Sequence, residues 1–119
     1  MTRCALPVDD YAGLTSMVFE HFGRTGTFAI VDADEGRINS VSVITNEQTY
    51  GSTDKNLPDF LADHGVEIVL AGMMGTCMST PLIDRGIRVF TGAEGTVREA
   101  YEKYMAGELA EVQKSRYSF

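Results

Sequence analysis

Met73, Met74, Cys77 and Met78 lie within six residues of one another in this chain. Thioethers and thiolates are soft ligands, suited to copper(I) and to iron–sulfur-type metals. A helix follows them, and a helix dipole favours the thiolate of a cysteine near its N-terminus. Cys77 is therefore a candidate ligand or reactive thiol, set against a plain structural role. The competing reading of the methionines is that they fill gaps in a core. No Cys-x-x-Cys spacing sharpens the choice.

A second candidate is His21, in the run His21-Phe22-Gly23-Arg24. Gly23 permits a left-handed turn that presents the imidazole. Imidazole is a borderline ligand for iron or molybdenum. Arg24 adds a fixed positive charge beside an anionic ligand. The plainer alternative is a loop histidine bonded to backbone, with Phe22 as a core anchor. His64 reads as an ordinary histidine at a helix C-terminus. Asp9 and Asp10 close one strand, and Asp32 and Asp34 close its antiparallel neighbour. The two pairs should therefore sit at opposite ends of a sheet and form no shared two-metal site. Gly92-x-x-Gly95 before the last helix is a candidate anion cradle, but no Walker-type lysine follows it. No nucleophile–base–orienter set is visible.

The elements that must position these residues follow from pattern. Arg3-Cys4-Ala5-Leu6-Pro7-Val8 reads as a first strand. The connection over residues 11–26 contains His21, with one short helical turn suggested by Leu14, Met17 and Val18. Residues 27–34 form a second strand and residues 38–44 a third, joined at Glu35-Gly36 as an antiparallel hairpin. Val41 and Val43 share one face of the third strand; Ser40, Ser42 and Ile44 share the other. Residues 45–56 form a long polar loop, a candidate cover for a site. A helix then carries Leu57, Phe60 and Leu61 on one face, with Pro58 in its first turn and Gly65 as its stop. Residues 66–71 form a fourth strand. Pro81 should delay the next helix to about Met78, and Gly86 should end it. Residues 87–90 form a fifth strand. Thr96-x-x-Glu99 is a capping box opening a last helix that Gly107 closes. Residues 1–109 thus read as one α/β domain, and residues 110–119 as a tail that frays or docks.

Right-handed crossovers put helices on both faces of a mixed sheet of order 3-2-1-4-5, with strand two antiparallel. The winding reverses between strands one and four. Ligands bind at such a switch point, outside the carboxyl ends of the strands. The His21 loop and the loop of Gly72, Met73, Met74, Gly75 and Cys77 meet there.

The chain of 119 residues is 44% apolar and 23% charged, with a formal charge of −7. That balance fits a soluble domain and argues against nucleic acid, since no basic stripe is present. No run approaches the ~20 apolar residues of a membrane span, and the N-terminus lacks a signal-peptide pattern. The expected location is cytoplasmic, with Cys4 and Cys77 free.

Taken in order, His21-Phe22-Gly23-Arg24, Leu57-Pro58-x-Phe60-Leu61-x-x-His64-Gly65-Val66, Ala71-Gly72-x-Met74-Gly75, Gly86-Ile87-x-Val89-Phe90-x-Gly92 and Gly95-Thr96-Val97 resemble a known family. It is the dinitrogenase iron–molybdenum cofactor biosynthesis family, the domain type of nitrogenase accessory proteins. The resemblance runs from about Cys4 to Leu109. It implies a ribonuclease-H-like three-layer α/β/α fold without nuclease activity. It also implies binding of iron–molybdenum cofactor, a precursor, or another metal–sulfur cluster containing iron, molybdenum or copper. Orange-protein-like members are associated with a molybdenum–copper–sulfur cluster. His21 is the ligand candidate that the resemblance points to. The chain departs from the family where Met73 replaces a second glycine, Cys77 and Met78 follow, and Pro81 intervenes.

The function expected is a non-catalytic binding or carrier protein for such a cluster. His21 and Cys77 would be metal ligands, and Phe22, Gly23, Arg24, Gly72, Met73, Met74 and Gly75 would line the site. Cluster donor or acceptor proteins are the expected partners, and the chain a monomer or weak homo-oligomer. Two rivals are a metal-free regulatory or interaction module using the same cleft, and a thiol-dependent enzyme using Cys77.

Overall fold

The computed structural model describes residues 2–8, 13–18, 27–35, 37–45, 57–74 and 76–112; the side chains of residues 57, 58 and 76–78 fall outside that description. The strands are β1 (Thr2–Val8), β2 (Thr27–Asp34), β3 (Arg37–Thr45), β4 (Ile68–Ala71), β5 (Arg88–Thr91) and β6 (Ala110–Val112). The helices are α1 (Leu57–Asp63), α2 (Thr76–Asp84) and α3 (Val97–Met105), with a single 3-10 turn at Gly13–Thr15. One sheet holds all six strands in the order β3-β2-β1-β4-β5-β6. β1 is antiparallel to β2 and parallel to β4, so the expected α/β sheet and its switch point are present.

β1 is central because it is apolar on both faces. Cys4, Leu6 and Val8 join one core cluster, while Ala5 joins the other. The first cluster lies beneath α3, which contributes Val97, Ala100 and Tyr101. The second lies beneath α1 and α2, which contribute Phe60, Leu61 and Leu82. Helices therefore cover both faces, giving the three-layer α/β/α arrangement. Leu6, Leu61 and Leu82 are fully buried, and truncating a leucine of this kind to alanine costs about 2–5 kcal/mol.

Three departures from the sequence reading have local causes. In β3 the register slips between Asp32 and Ala33, which face Ser40 and Ile38. Asn39 is thus an extra residue, a β-bulge. It rotates Ile38 onto the face of Val41, and both pack on the α3-side core. Strict alternation would have put Ile38 with Ser40 and Ser42.

α2 begins at Thr76, two residues earlier than Pro81 suggested, with Pro81 inside the helix. Pro81 lacks the N–H that the Cys77 carbonyl would accept in an α-helical ladder. Packing outweighs that loss: Leu82 is fully buried and Ser79 nearly so. The Arg85 guanidinium also donates to the Pro81 carbonyl at 2.9 Å.

The start of the expected tail docks as β6, antiparallel to β5. Arg88 holds it there through two parallel bonds to the Glu111 carboxylate, at 2.9 and 3.0 Å. Three residues, Ala110-Glu111-Val112, carry too little pattern to read as a strand. Among the described residues of the first connection, Gly13–Thr15 form a 3-10 turn. Met17 and Val18 instead make single antiparallel bridges, to Thr96 and Val8.

Helix ends follow the glycines. At Gly65 (φ 74) and Gly86 (φ 82) the chain enters the left-handed region. Gly65 N–H donates to Ala62 and Val66 N–H to Leu61; Gly86 and Ile87 repeat this with Ile83 and Leu82. These paired bonds satisfy the last carbonyls of each helix and aim the chain into the next strand.

Candidate functional site

The carboxyl ends of β1, β4 and β5 are joined by backbone. Beyond β4, the Ala71 and Gly72 carbonyls accept from the N–H groups of Ala93 and Gly92, at 3.0 and 3.2 Å. Beyond β1, Val18 N–H donates to the Gly95 carbonyl at 2.8 Å, and Val97 N–H donates to the Ser16 carbonyl at 2.9 Å. The connection after β1 is thus sewn to the loop before α3, and that loop is sewn to the one after β4.

A cleft of about 410 Å³ opens where the three meet, lined by Val18, Gly72, Met73, Gly92, Ala93, Glu94 and Gly95. It sits at the carboxyl-end switch point that the strand order designates. Of the candidate residues, Gly72 and Met73 line it. Met73 is 53% exposed, so its thioether is accessible at the cleft. Met74 instead turns back and packs against the core under α1 and α2, as the gap-filling reading holds. Adjacent methionines therefore have opposite roles. Cys77 lies in the first turn of α2, and its side chain falls outside the description. His21, Phe22, Gly23, Arg24, Gly75 and the loop over residues 46–56 lie outside the described residues, as do Asp9 and Asp10.

The wall formed by residues 92–95, whose glycines suggested an anion cradle, is part of the cleft lining. Its N–H groups at Gly92 and Ala93 are donated inward to the β4 loop. At the start of α3, Thr96 N–H donates to Glu99 Oε1 at 2.9 Å, and Glu99 N–H donates to Thr96 Oγ1 at 3.2 Å. Val97 N–H is taken by Ser16. These capping bonds hold the Glu99 carboxyl below its usual range, first through the Thr96 backbone N–H. At the α3 terminus the N–H groups of Thr96, Val97 and Glu99 are thus taken internally. The wall also carries an acid, Glu94, which accepts from Lys103 Nζ at 3.2 Å. The signal for this wall was its pair of glycines ahead of a capping box. Both have positive φ, Gly92 at 96° and Gly95 at 84°. A Cβ on Gly95 would come within 2.5 Å of Glu99 Oε1.

The remaining candidates are structural. His64 places Nδ1 2.9 Å from the Phe60 carbonyl and its ring against the Phe60 ring, with centroids 4.5 Å apart. Asp32 accepts from Arg3 Nε and Nη2 at 2.7 and 3.2 Å, which lowers its pKa. Thr2 pairs with Ala33 and Val8 with Thr27, so Asp32 and Asp34 lie beside the amino end of β1, away from the cleft. Cys4 is fully buried. Burial pushes its thiol up to about 12, with the Glu67 and Asp32 charges adding to the effect. It is an inert thiol. Among the described residues no three His, Cys, Asp or Glu side chains group as a metal site, and no helix is long and apolar enough to cross a membrane.

A family model described as "Dinitrogenase iron-molybdenum cofactor" matches residues 3–107. The apo form of the orange protein from Desulfovibrio gigas is similar in structure. It has a TM-score of 0.81 and 28% identity, over 94% of this chain and 93% of that one. A putative NifB protein from Thermotoga aligns with a TM-score of 0.73 and 30% identity, over 99% of this chain and all of that one. An uncharacterised protein of Methanocaldococcus jannaschii is 23% identical over 111 residues, 92% of this chain and 90% of that protein.

Proposed function

The chain belongs to the dinitrogenase iron–molybdenum cofactor family, and on that premise we propose that it binds and carries a metal–sulfur cluster of the iron–molybdenum type without acting on it as an enzyme. The cleft at the carboxyl ends of β4 and β5, with Met73 at its lip, is the observation that carries this reading. The His21 loop leaves from Val18, which is itself a cleft residue.

In this reading His21 and Cys77 are the metal ligands. Phe22, Gly23, Arg24, Gly72, Met73, Met74 and Gly75 shape the two loops that hold the cargo. Met73 supplies a further soft donor and Met74 anchors its loop to the core. A sulfide-rich cluster is anionic, and the chain's formal charge is −7. The α3 terminus is already capped and Glu94 is acidic, so the offsetting charge falls to Arg24 and to the start of α2. Glu94 opposes an anion, which suits a cargo that is handed on to an acceptor protein. The soft donors favour a thiophilic metal.

The test is anaerobic purification with metal analysis and visible absorption. Spectra are taken before and after adding iron with sulfide, and tetrathiomolybdate with copper. Wild type acquires colour and bound metal. His21→Ala and Cys77→Ala each weaken binding by about tenfold or more, with thermal stability unchanged. A protein that stays colourless and metal-free under every condition overturns the carrier reading. Variants that bind as wild type does overturn the ligand assignment.

A further inference from the structure

On the β3 side of α3 lies a groove of about 580 Å³, lined chiefly by Leu14, Ile38, Arg98, Tyr101, Glu102 and Met105. It is larger than the cleft, yet it lies away from the strand carboxyl ends. Its rim is the outer stripe of α3. Arg98, Glu102 and Met105 recur at the i, i+4, i+7 spacing that puts them on one face of a helix.

Three features of that stripe are unaccounted for within one chain. Met105 is 50% exposed at the end of α3. Met17 is 55% exposed and is bridged to Thr96, the cap that begins α3. Two of the three large apolar side chains that the described residues expose thus flank one short helix. Arg98 and Glu102 stand one turn apart. The described residues give Arg98 no ion pair, and its partners elsewhere in this region are taken: Glu94 by Lys103 and Glu99 by Thr96. With the arginine N-terminal to the glutamate, the pair is in the poorer order for bonding within its own helix.

We propose that a second copy of this chain docks on this stripe, the two α3 helices packing antiparallel about a two-fold axis at the level of residue 100. A two-fold contact must be self-complementary. This one is: Arg98 of each copy comes level with Glu102 of the other, so one pair of side chains makes two ion pairs. The same register brings Met105 level with the residue preceding Thr96, beside the Met17 of the other copy. Charge and apolar complementarity select one alignment. The contact meets the cleft only at its rim, where Gly95 lines both. The inference is independent of the cargo.

Sedimentation equilibrium over a concentration series tests it. Wild type rises from 13.0 kDa toward twice that mass. Arg98→Glu and Glu102→Arg each hold the protein at the monomer mass. The double variant, which swaps the charges, regains association. Circular dichroism establishes that each variant is folded. Arg98→Gln keeps the side-chain stem without the charge and weakens association about tenfold, equivalent to about 1.4 kcal/mol. A wild type that remains at 13.0 kDa throughout overturns the proposal, as it would if the groove took a small ligand or a foreign segment. A dimer that survives both single variants, or a double variant that stays monomeric, overturns it equally.

Discussion

The two ends of the sheet are built differently. The amino end is tied by charged side chains. Arg3 alone bonds Asp32 through two nitrogens and the His64 carbonyl through Nη1 at 2.7 Å. Its backbone N–H donates to Glu67 Oε2 at 3.0 Å. Glu67 N–H returns to the Arg3 carbonyl, and Arg88 N–H donates to the Glu67 carbonyl, both at 2.9 Å. β1, β2, α1, β4 and β5 are fixed together there. The carboxyl end is tied mainly by backbone bonds between loops of glycine and small residues. Its described side chains line a cleft instead of bonding one another across it. One end is a frame and the other a receiver. The separation lets the cleft end vary in its side chains without loosening the sheet.

Gly95→Ala breaks this division most strongly. The position is left-handed, and the added Cβ meets Glu99 Oε1. Strain of about 1–2 kcal/mol and the loss of a cap worth about 1 kcal/mol combine to about 2–3 kcal/mol, read from the urea midpoint. It should also shift the cleft wall, so stability and cluster binding fall together. Should stability hold, the receiving end is looser than the backbone ties imply.

Asp32→Asn sharpens the contrast from the other side. The Asp32 side chain is 16% exposed and Arg3's 40%, so the solvent-screened pair contributes about 1 kcal/mol. The variant loses that at neutral pH and binds cluster as wild type does. The Arg3 guanidinium holds the Asp32 carboxyl below the usual carboxylate range. A depressed folded-state pKa gives stability that is present above the unfolded value, near pH ~4, and lost as pH falls through the folded one. Arg88 does the same to Glu111. Wild type therefore weakens in acid below about pH 4, and Asp32→Asn weakens less over that interval. Parallel acid profiles for the two proteins would remove Asp32 from the frame.

The smallest effect is a null one. In native protein at pH ~8, near the ordinary thiol pKa, iodoacetamide leaves Cys4 unmodified. Mass spectrometry finds any rapid modification at Cys77, while denaturant exposes both. Rapid labelling of Cys4 would mean that the centre of β1 opens on the timescale of the reaction.

Much of this was legible in the sequence, because each level of pattern pointed the same way. The two-sided apolar run of β1, the hairpin at Glu35-Gly36 and the glycine stops at Gly65 and Gly86 led to the strand order, and the order led to the cleft. The capping box at Thr96 and Glu99 formed as read. What escaped depended on partners distant in sequence. β6 is held because Arg88 reaches diagonally to Glu111, the residue paired with Phe90. The early start of α2 reflects burial of Leu82, which local helix rules do not weigh. The wall at residues 92–95 read as an anion cradle because its glycines were visible, while the capture of its N–H groups by Ala71 and Gly72 was not. Met73 and Met74 look identical in sequence, and only packing separates them.

Pro81 has one further consequence. Without its N–H, the first turn of α2 shares one fewer bond with the last. The turn that bears Cys77 is then tied less tightly to the turn that seats Leu82 in the core. In native-state hydrogen exchange the amides of residues 79 and 80 should trade with solvent well before those of residues 83 and 84, although all four lie in one nine-residue helix. A proline that looks like a flaw in a helix thus divides it into a half kept by its own ladder and a half kept chiefly by the burial of Ser79.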